Sequence, residues 1–321
     1  MFRHVRLTAG PIVVALLTGC AGARASTAPT TASGDGGASP RVVSAASGRT
    51  VSFAQMADDA AKADVVFFGE QHDDAETHRA ELALLSAIGD RRSTVVLSLE
   101  MFERDVQQLL DAYLTGGLSE TDFRAQARPW PNYETDYRPL LELAKARHWP
   151  VVASNVPRRL ASMVSRKGLS AVDTLAAVDR AYVAQQSLCP KDQYYTNFVE
   201  VMGGGHGAAT AAPTSASPAS PMAGMTELFY QAQCIKDETM AESIVRAREK
   251  AGPQSIVVHF NGAFHTDFGL GTAARVTRRL PNVKTVVVSA VPTPDPMAAN
   301  AKELLDRGQY IIIVKRLAPT R

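Results

Sequence analysis

Short apolar runs alternate with longer amphipathic stretches through most of this chain. Val65–Phe68, Val95–Leu99, Val151–Ala153, Ile256–Phe260, Lys284–Val288 and Tyr310–Val314 are rich in β-branched and aromatic residues and lack the in–out alternation of a half-exposed strand. They read as strands of a parallel sheet covered on both faces. Between them lie helical patterns. Asp73 with Glu76 resembles a capping box for a helix to about Ile88, Asp136 to Arg147 carries Leu140, Leu141, Leu143 and Ala144 at helical spacing, and Thr226 to Lys250 is the longest periodic stretch. The alternation predicts an α/β fold, a mostly parallel sheet flanked by helices. Residues 156–250, between the third and fourth strands, exceed what one crossover needs. They read as a helical cap over the sheet edge, interrupted by a low-complexity loop at 203–224.

The N-terminus departs from this pattern. Arg3 and Arg6 precede an apolar stretch from Leu7 to Thr18, and Leu17-Thr18-Gly19-Cys20 ends it. Residues 1–19 read as a lipoprotein signal peptide, with Cys20 the acylated residue. The apolar stretch is short for a bilayer span. Ala21 follows the cysteine, and no retention aspartate stands there, which points to the outer membrane. Residues 20–48 are Ala, Ser, Thr and Gly with scattered Pro, the composition of a flexible tether. A folded α/β domain is then expected over 49–321.

The chain has 34 basic and 32 acidic residues, and removing Arg3 and Arg6 brings the two into balance. Basic residues come at most in pairs such as Arg158-Arg159 and Arg278-Arg279, so nucleic acid is not an expected partner. Besides Cys20 there are only Cys189 and Cys234, which an oxidising export compartment would join as a disulfide or leave as two buried thiols.

Polar residues concentrate where the predicted strands stop. Glu70 and His72 follow the first strand, Glu100 ends the second, Asn155 follows the third, and Asn261 and His265 follow the fourth. Gly69-Glu70-Gln71-His72 and Gly262-Ala263-Phe264-His265 are the same Gly-x-x-His element used twice. Open α/β sheets place ligands and chemistry at the carboxyl ends of their strands. Glu100, between Leu99 and Met101, should be largely buried and so need a cation, a metal or a raised pKa. Asn155 reads equally well as a helix cap before Val156-Pro157. His78 and His148 read as surface or packing residues, His259 as a core histidine, and His206 as a residue of a flexible glycine run.

His72, Glu100 and His265 together would suit a divalent metal, and with Glu70 they could perform acid–base catalysis. No Gly-x-Ser-x-Gly, His-Glu-x-x-His or phosphate-cradling motif occurs. Serine hydrolases, thermolysin-like proteases and nucleotide enzymes are thereby set aside.

The chain resembles the ChaN family of bacterial haem-associated lipoproteins, within the superfamily that also holds TraB, Tiki and the erythromycin esterases. The likeness spans about Phe53 to Val314. It rests on Gly69-Glu70-Gln71-His72-Asp73-Asp74, Ser98-Leu99-Glu100-Met101-Phe102, Trp130-Pro131-Asn132-Tyr133, Val152-Ala153-Ser154-Asn155-Val156-Pro157-Arg158, Gln231-Ala232-Gln233-Cys234, Asp237-Glu238-Thr239-Met240-Ala241 and Asn261-Gly262-Ala263-Phe264-His265. The resemblance implies one α/β domain with a helical cap, haem binding or acquisition, and a homodimer as one arrangement. Tiki-type proteases build a metal site from two Gly-x-x-His elements and a glutamate, which implies His72, Glu100 and His265 here, with Glu70 beside them. Haem iron could take a tyrosine or a histidine, with lysine or arginine on the propionates; the candidates near the cap are Tyr133, Tyr137, Tyr194, Tyr195 and Tyr230, with Arg158. The expected function is an envelope lipoprotein that binds haem or a related iron-bearing ligand for uptake. The alternative is a metal-dependent or His/Glu hydrolase of peptides or esters.

Overall fold

The computed structural model describes residues 40–204 and 221–316. The signal peptide, Cys20, the tether to residue 39 and His206 lie outside the described residues. Six of the strands are those the apolar runs predict: β3 (Val65–Glu70), β4 (Val95–Glu103), β5 (Val151–Asn155), β6 (Ile256–Gly262), β7 (Thr285–Thr293) and β8 (Tyr310–Lys315). All run parallel, in the order β8-β7-β3-β6-β4-β5. Two further strands, β1 (Arg41–Ser44) and β2 (Arg49–Val51), extend the edge antiparallel to β8 and to one another. The reading of residues 41–48 as tether is therefore corrected. Val42 and Val43 are buried, and each strand residue of β1 pairs with one of β8. Two valines among Ala, Ser and Gly were too weak a compositional signal to show this.

Helices cover both faces. α1 (Phe53–Ala60), α2 (Ala75–Gly89), α3 (Gln107–Leu114), α4 (Glu120–Ala127) and α5 (Arg138–Ala146) lie on one side. There Met56, Leu84, Leu85, Ile88, Leu110, Leu140 and Leu141 pack on Val66, Phe68, Leu97, Leu99, Val258 and Phe260. The alternate strand residues Val65, Phe67, Val96, Val257 and Val287 face the other layer. The N-cap of α2 is Asp74, one residue beyond Asp73, and its carboxylate accepts from the Thr77 N–H at 2.9 Å.

The segment between β5 and β6 holds α6 (Arg158–Lys167), α7 (Ala177–Arg180), α8 (Gln193–Gly204) and α9 (Pro221–Ala251), and α10 (Gly271–Arg279) follows β6. Part of this expected cap belongs to the sheet layer. Ala241, Ile244 and Val245 of α9 pack with Ala273 and Val276 of α10 on the strands. The middle of α9, a helix of 31 residues or about 46 Å at 1.5 Å per residue, carries Gln233 and Lys236 to the carboxyl edge. α8 ends at Gly204 and α9 begins at Pro221, so the expected loop is narrowed to residues outside the description. A disulfide joins Cys189 to Cys234 across a 45-residue separation, beside Tyr194, Phe198 and Tyr230. Among the described residues no helix is long and apolar enough to cross a membrane.

Because β1 is part of the sheet, the sites of N-terminal trimming are distinguishable. Removing residues 1–48 strips two buried valines, each worth about 1.5–3 kcal/mol, whereas removing 1–39 leaves β1 in place. Urea unfolding is expected to show a clearly lower midpoint for the shorter protein. Equal midpoints would contradict this account of the edge.

Candidate functional site

The strands that meet at the middle of the sheet, β3, β6 and β4, are the ones whose ends carry Glu70 and His72, Gly262 and His265, and Glu100. Gly69 lies opposite Asn261 and Glu70 opposite Gly262 in the parallel register, so the two Gly-x-x-His elements leave the sheet side by side. Both glycines are needed there. A Cβ on Gly69 would stand 2.9 Å from the Cα of Ala263, and a Cβ on Gly262 would stand 2.8 Å from Nε2 of His72. β4 shifts register between Leu99 and Glu103, and Glu100 lies in that irregularity. Its Oε2 accepts the Gly262 N–H at 2.8 Å. The sequence thus brings His72, Glu100 and His265 to one hollow of about 390 Å³, with Glu70, Gln71, Gln233 and Lys236 among its other polar walls. Phe198 and Val201 of α8 and Phe264 supply apolar walls.

The two histidines differ in state. His265 is buried, with Nδ1 2.7 Å from Asp237 Oδ1 and Nε2 3.3 Å from Glu100 Oε1. Burial works against a charged ring, but Glu100 and Asp237 hold its pKa up to about 10. Burial alone would likewise raise the Glu100 carboxyl. His265, with His72 and Lys236, outweighs burial and holds it below the usual carboxylate range, so the expected buried charge is met by protein cations rather than a raised pKa. Thr272 donates to the same Asp237 oxygen at 2.8 Å. His265 is a charged strut.

His72 is open, with 46% of its side chain exposed. Its Nδ1–H donates to Glu70 Oε1 at 2.6 Å, and the Tyr137 hydroxyl donates to the same oxygen at 2.6 Å. Burial depresses the His72 pKa, but the Glu70 hydrogen bond and then Glu100 raise it above its ordinary value. Trp130 meets the ring edge-on at 4.8 Å, and Asn132 donates to the His72 carbonyl at 2.9 Å. A histidine anchored through Nδ1 by a carboxylate presents Nε2 as base or ligand.

Sequence reasoning missed several parts. His78 is buried on α2 and not on an exposed face: its Nδ1 is 2.8 Å from Glu81 Oε2 and 3.8 Å from Glu70 Oε2. Burial and the Glu70 charge push the Glu81 carboxyl well up. Among the described residues, the group whose ligand atoms all lie within 4.8 Å of one another is Glu70, His78 and Glu81, rather than His72, Glu100 and His265. Asp237 was visible only as part of a motif. Gln233, Lys236 and Asp237 stand three and four residues apart on one face of α9, which is the one periodic signal that could have grouped them.

The other expected contacts lie elsewhere. Tyr133 is buried among Phe102 and Phe123, and Tyr137 serves Glu70. Tyr194 is buried against Tyr230 and Phe264 and borders an adjoining hollow of about 640 Å³. Tyr195 stacks edge-on against Tyr230, itself buried. Arg158 lines a separate hollow with Arg128, Trp130 and Arg159. Asn155 accepts from the adjacent Val156 N–H at 2.8 Å, while Pro157 holds the N-cap position of α6. His148 is exposed, and His259 is buried with Nδ1 2.9 Å from Ser98.

Because the His265 pKa is raised by folding, its contribution to stability is complete below its ordinary value of 6.5 and is lost as pH rises through about 10. In urea unfolding, the stability advantage of the protein over His265→Gln is expected to narrow across that window. An advantage independent of pH would contradict the doubly paired, charged state.

Comparison with known proteins shows the fold and the family of this chain. The structure titled "Cofacial heme binding to ChaN of Campylobacter jejuni" matches with a TM-score of 0.61 at 15% identity, covering 86% of this chain and 97% of that one. This likeness is one of fold. The Arabidopsis thaliana protein RETICULATA-RELATED 5, chloroplastic, is 23% identical over 199 residues, which are 60% of this chain and 25% of that protein. The chain thus spans about a quarter of that relative. The family model described as "Haem-binding uptake, Tiki superfamily, ChaN" matches residues 56–276. With more than half of its length matched, the chain belongs to the ChaN family of haem-binding uptake proteins in the Tiki superfamily.

Proposed function

We propose that this protein binds haem at the hollow in front of His72, as a lipid-anchored protein of the bacterial envelope that serves haem uptake. The observation that carries the reading is the state of His72: half open, held through Nδ1 by buried Glu70, and set beside apolar walls. Nε2 of such a ring is a haem-iron ligand in chemical type, and a carboxylate partner on the other nitrogen strengthens it. Phe198, Val201 and Phe264 offer the apolar surface a porphyrin needs, and Val201, with Phe268 of the adjoining hollow, is left open in the protein alone, at 62% and 44% exposed. Lys236 on the same wall is a cation for a propionate. The tyrosines fit less well, since Tyr133, Tyr137 and Tyr194 are buried. Cys20 would carry the lipid, and the outer membrane is the proposed address.

One observation favours a second reading. The buried Asp237–His265–Glu100 chain is more elaborate than a haem clamp requires. A hydrolase would use His72 as base toward water and the His265 cation to stabilise developing negative charge.

Adding haemin to the full chain is expected to give a saturable Soret change, weakened at least about tenfold in His72→Ala and unaltered in Tyr195→Phe. The absence of saturable change at micromolar haemin, or full binding by His72→Ala, would sink the haem reading. Ester or peptide hydrolysis abolished by both His72→Ala and Glu100→Gln in folded protein would establish the second reading instead.

A further inference from the structure

Behind His72 lies a cluster of which the haem reading uses only Glu70, and that through its other oxygen. Glu70, His78 and Glu81 are all buried, on β3 and α2. Oε2 of Glu70 and Oε1 of Glu81 are fully buried with no hydrogen-bond partner. The outer nitrogen of His78, Nε2, lies 3.3 Å from the His72 carbonyl and 3.6 Å from Asp136 Oδ2, both acceptors. Nε2 therefore carries a proton. In the neutral ring the inner nitrogen, Nδ1, is then a lone pair facing two carboxyl groups, at 2.8 Å from Glu81 and 3.8 Å from Glu70. Three acceptor groups converge on one buried point, and buried charges persist only when paired or coordinated.

We infer that this point is a binding site for a divalent first-row cation, ligated by Glu70, His78 Nδ1 and Glu81. Two protons would be needed to quiet the same convergence, one between the carboxyls and one on His78. A single dication supplies that charge at once. The donor set of two carboxylates and one imidazole suits Zn²⁺ or Mn²⁺. A His ring whose outer N–H is held by a backbone carbonyl is also the usual setting of a metal-bound histidine. Glu70 would then touch the cation through one oxygen and His72 through the other. The metal would keep Glu70 ionised, and so keep Nδ1 of His72 as the protonated nitrogen. The site stands apart from the haem reading, because none of its ligands needs the hollow to be filled.

The test loads the chelator-treated full chain with Zn²⁺, and in parallel Mn²⁺, followed by exhaustive dialysis and elemental analysis. The expected result is one metal per chain in the protein and in His72→Ala, and none in Glu81→Gln or His78→Phe. Tyr137→Phe, which removes the hydroxyl donor to Glu70, should weaken binding by about 10–100-fold. Metal should raise the melting temperature of the protein and leave that of Glu81→Gln unmoved. No retained metal in the protein, or equal retention by Glu81→Gln, overturns the proposal. So does a metal-free Glu81→Gln more stable than the protein and unchanged by metal, if the protein also gains nothing from metal, because the cluster then holds protons. Loss of metal in His72→Ala with retention in Glu81→Gln would move the site to the hollow.

Discussion

The close approach of two strand ends governs this site. β3 and β6 leave the sheet so near one another that neither can carry a side chain at the crossing: Gly69 lies against Ala263, and Gly262 lies under the imidazole of His72. Each glycine therefore makes room for the other element. A pair of Gly-x-x-His elements on separate strands need not point to one place. Here the missing Cβ atoms bring them to one, and the freed Gly262 N–H is spent on Glu100, which ties β4 into the same corner.

Around that corner the charges divide the labour. His265 is locked between Asp237 and Glu100, so it contributes a fixed positive charge and little freedom. His72 is held on one side only and keeps its other nitrogen for a partner. Asp237 reaches His265 because α9 is fastened along its length. Its neighbour Glu238 takes the guanidinium groups of Arg278 and Arg279, at 2.7 Å and 2.6 Å, with Arg275 at 3.4 Å. Thr239 next to it accepts the Ala184 N–H. The run Asp237-Glu238-Thr239 is thus a short stretch in which each residue fixes a different part of the chain against α9.

The parallel core was legible in the sequence because strands buried on both faces leave continuous apolar runs, and all six are found. The edge was not, since β1 has only Val42 and Val43 to announce it, and its burial comes from pairing with β8 far along the chain. The same limit applies at the site. Glu70, His72, Glu100 and His265 could be picked out because polar residues at strand ends are conspicuous. His78 could not, because its face of α2 is closed by Tyr137 and Asp136 from a π-helical turn at Tyr133–Tyr137, which local periodicity does not reveal. Asp237 and Lys236 depend on where a 31-residue helix ends up over the sheet edge, and that is a tertiary fact.

The most direct test of this account is the variant Gly262→Ala, followed by crystallography and haemin titration. The added methyl would fall 2.8 Å from His72 Nε2, where the ring must give way, while the β6 backbone there has φ −55 and accepts any residue. The account predicts a folded protein with His72 displaced and haemin binding markedly weakened. Finding His72 in place, with haemin bound as before, would contradict the claim that the two glycines make one site of the two elements.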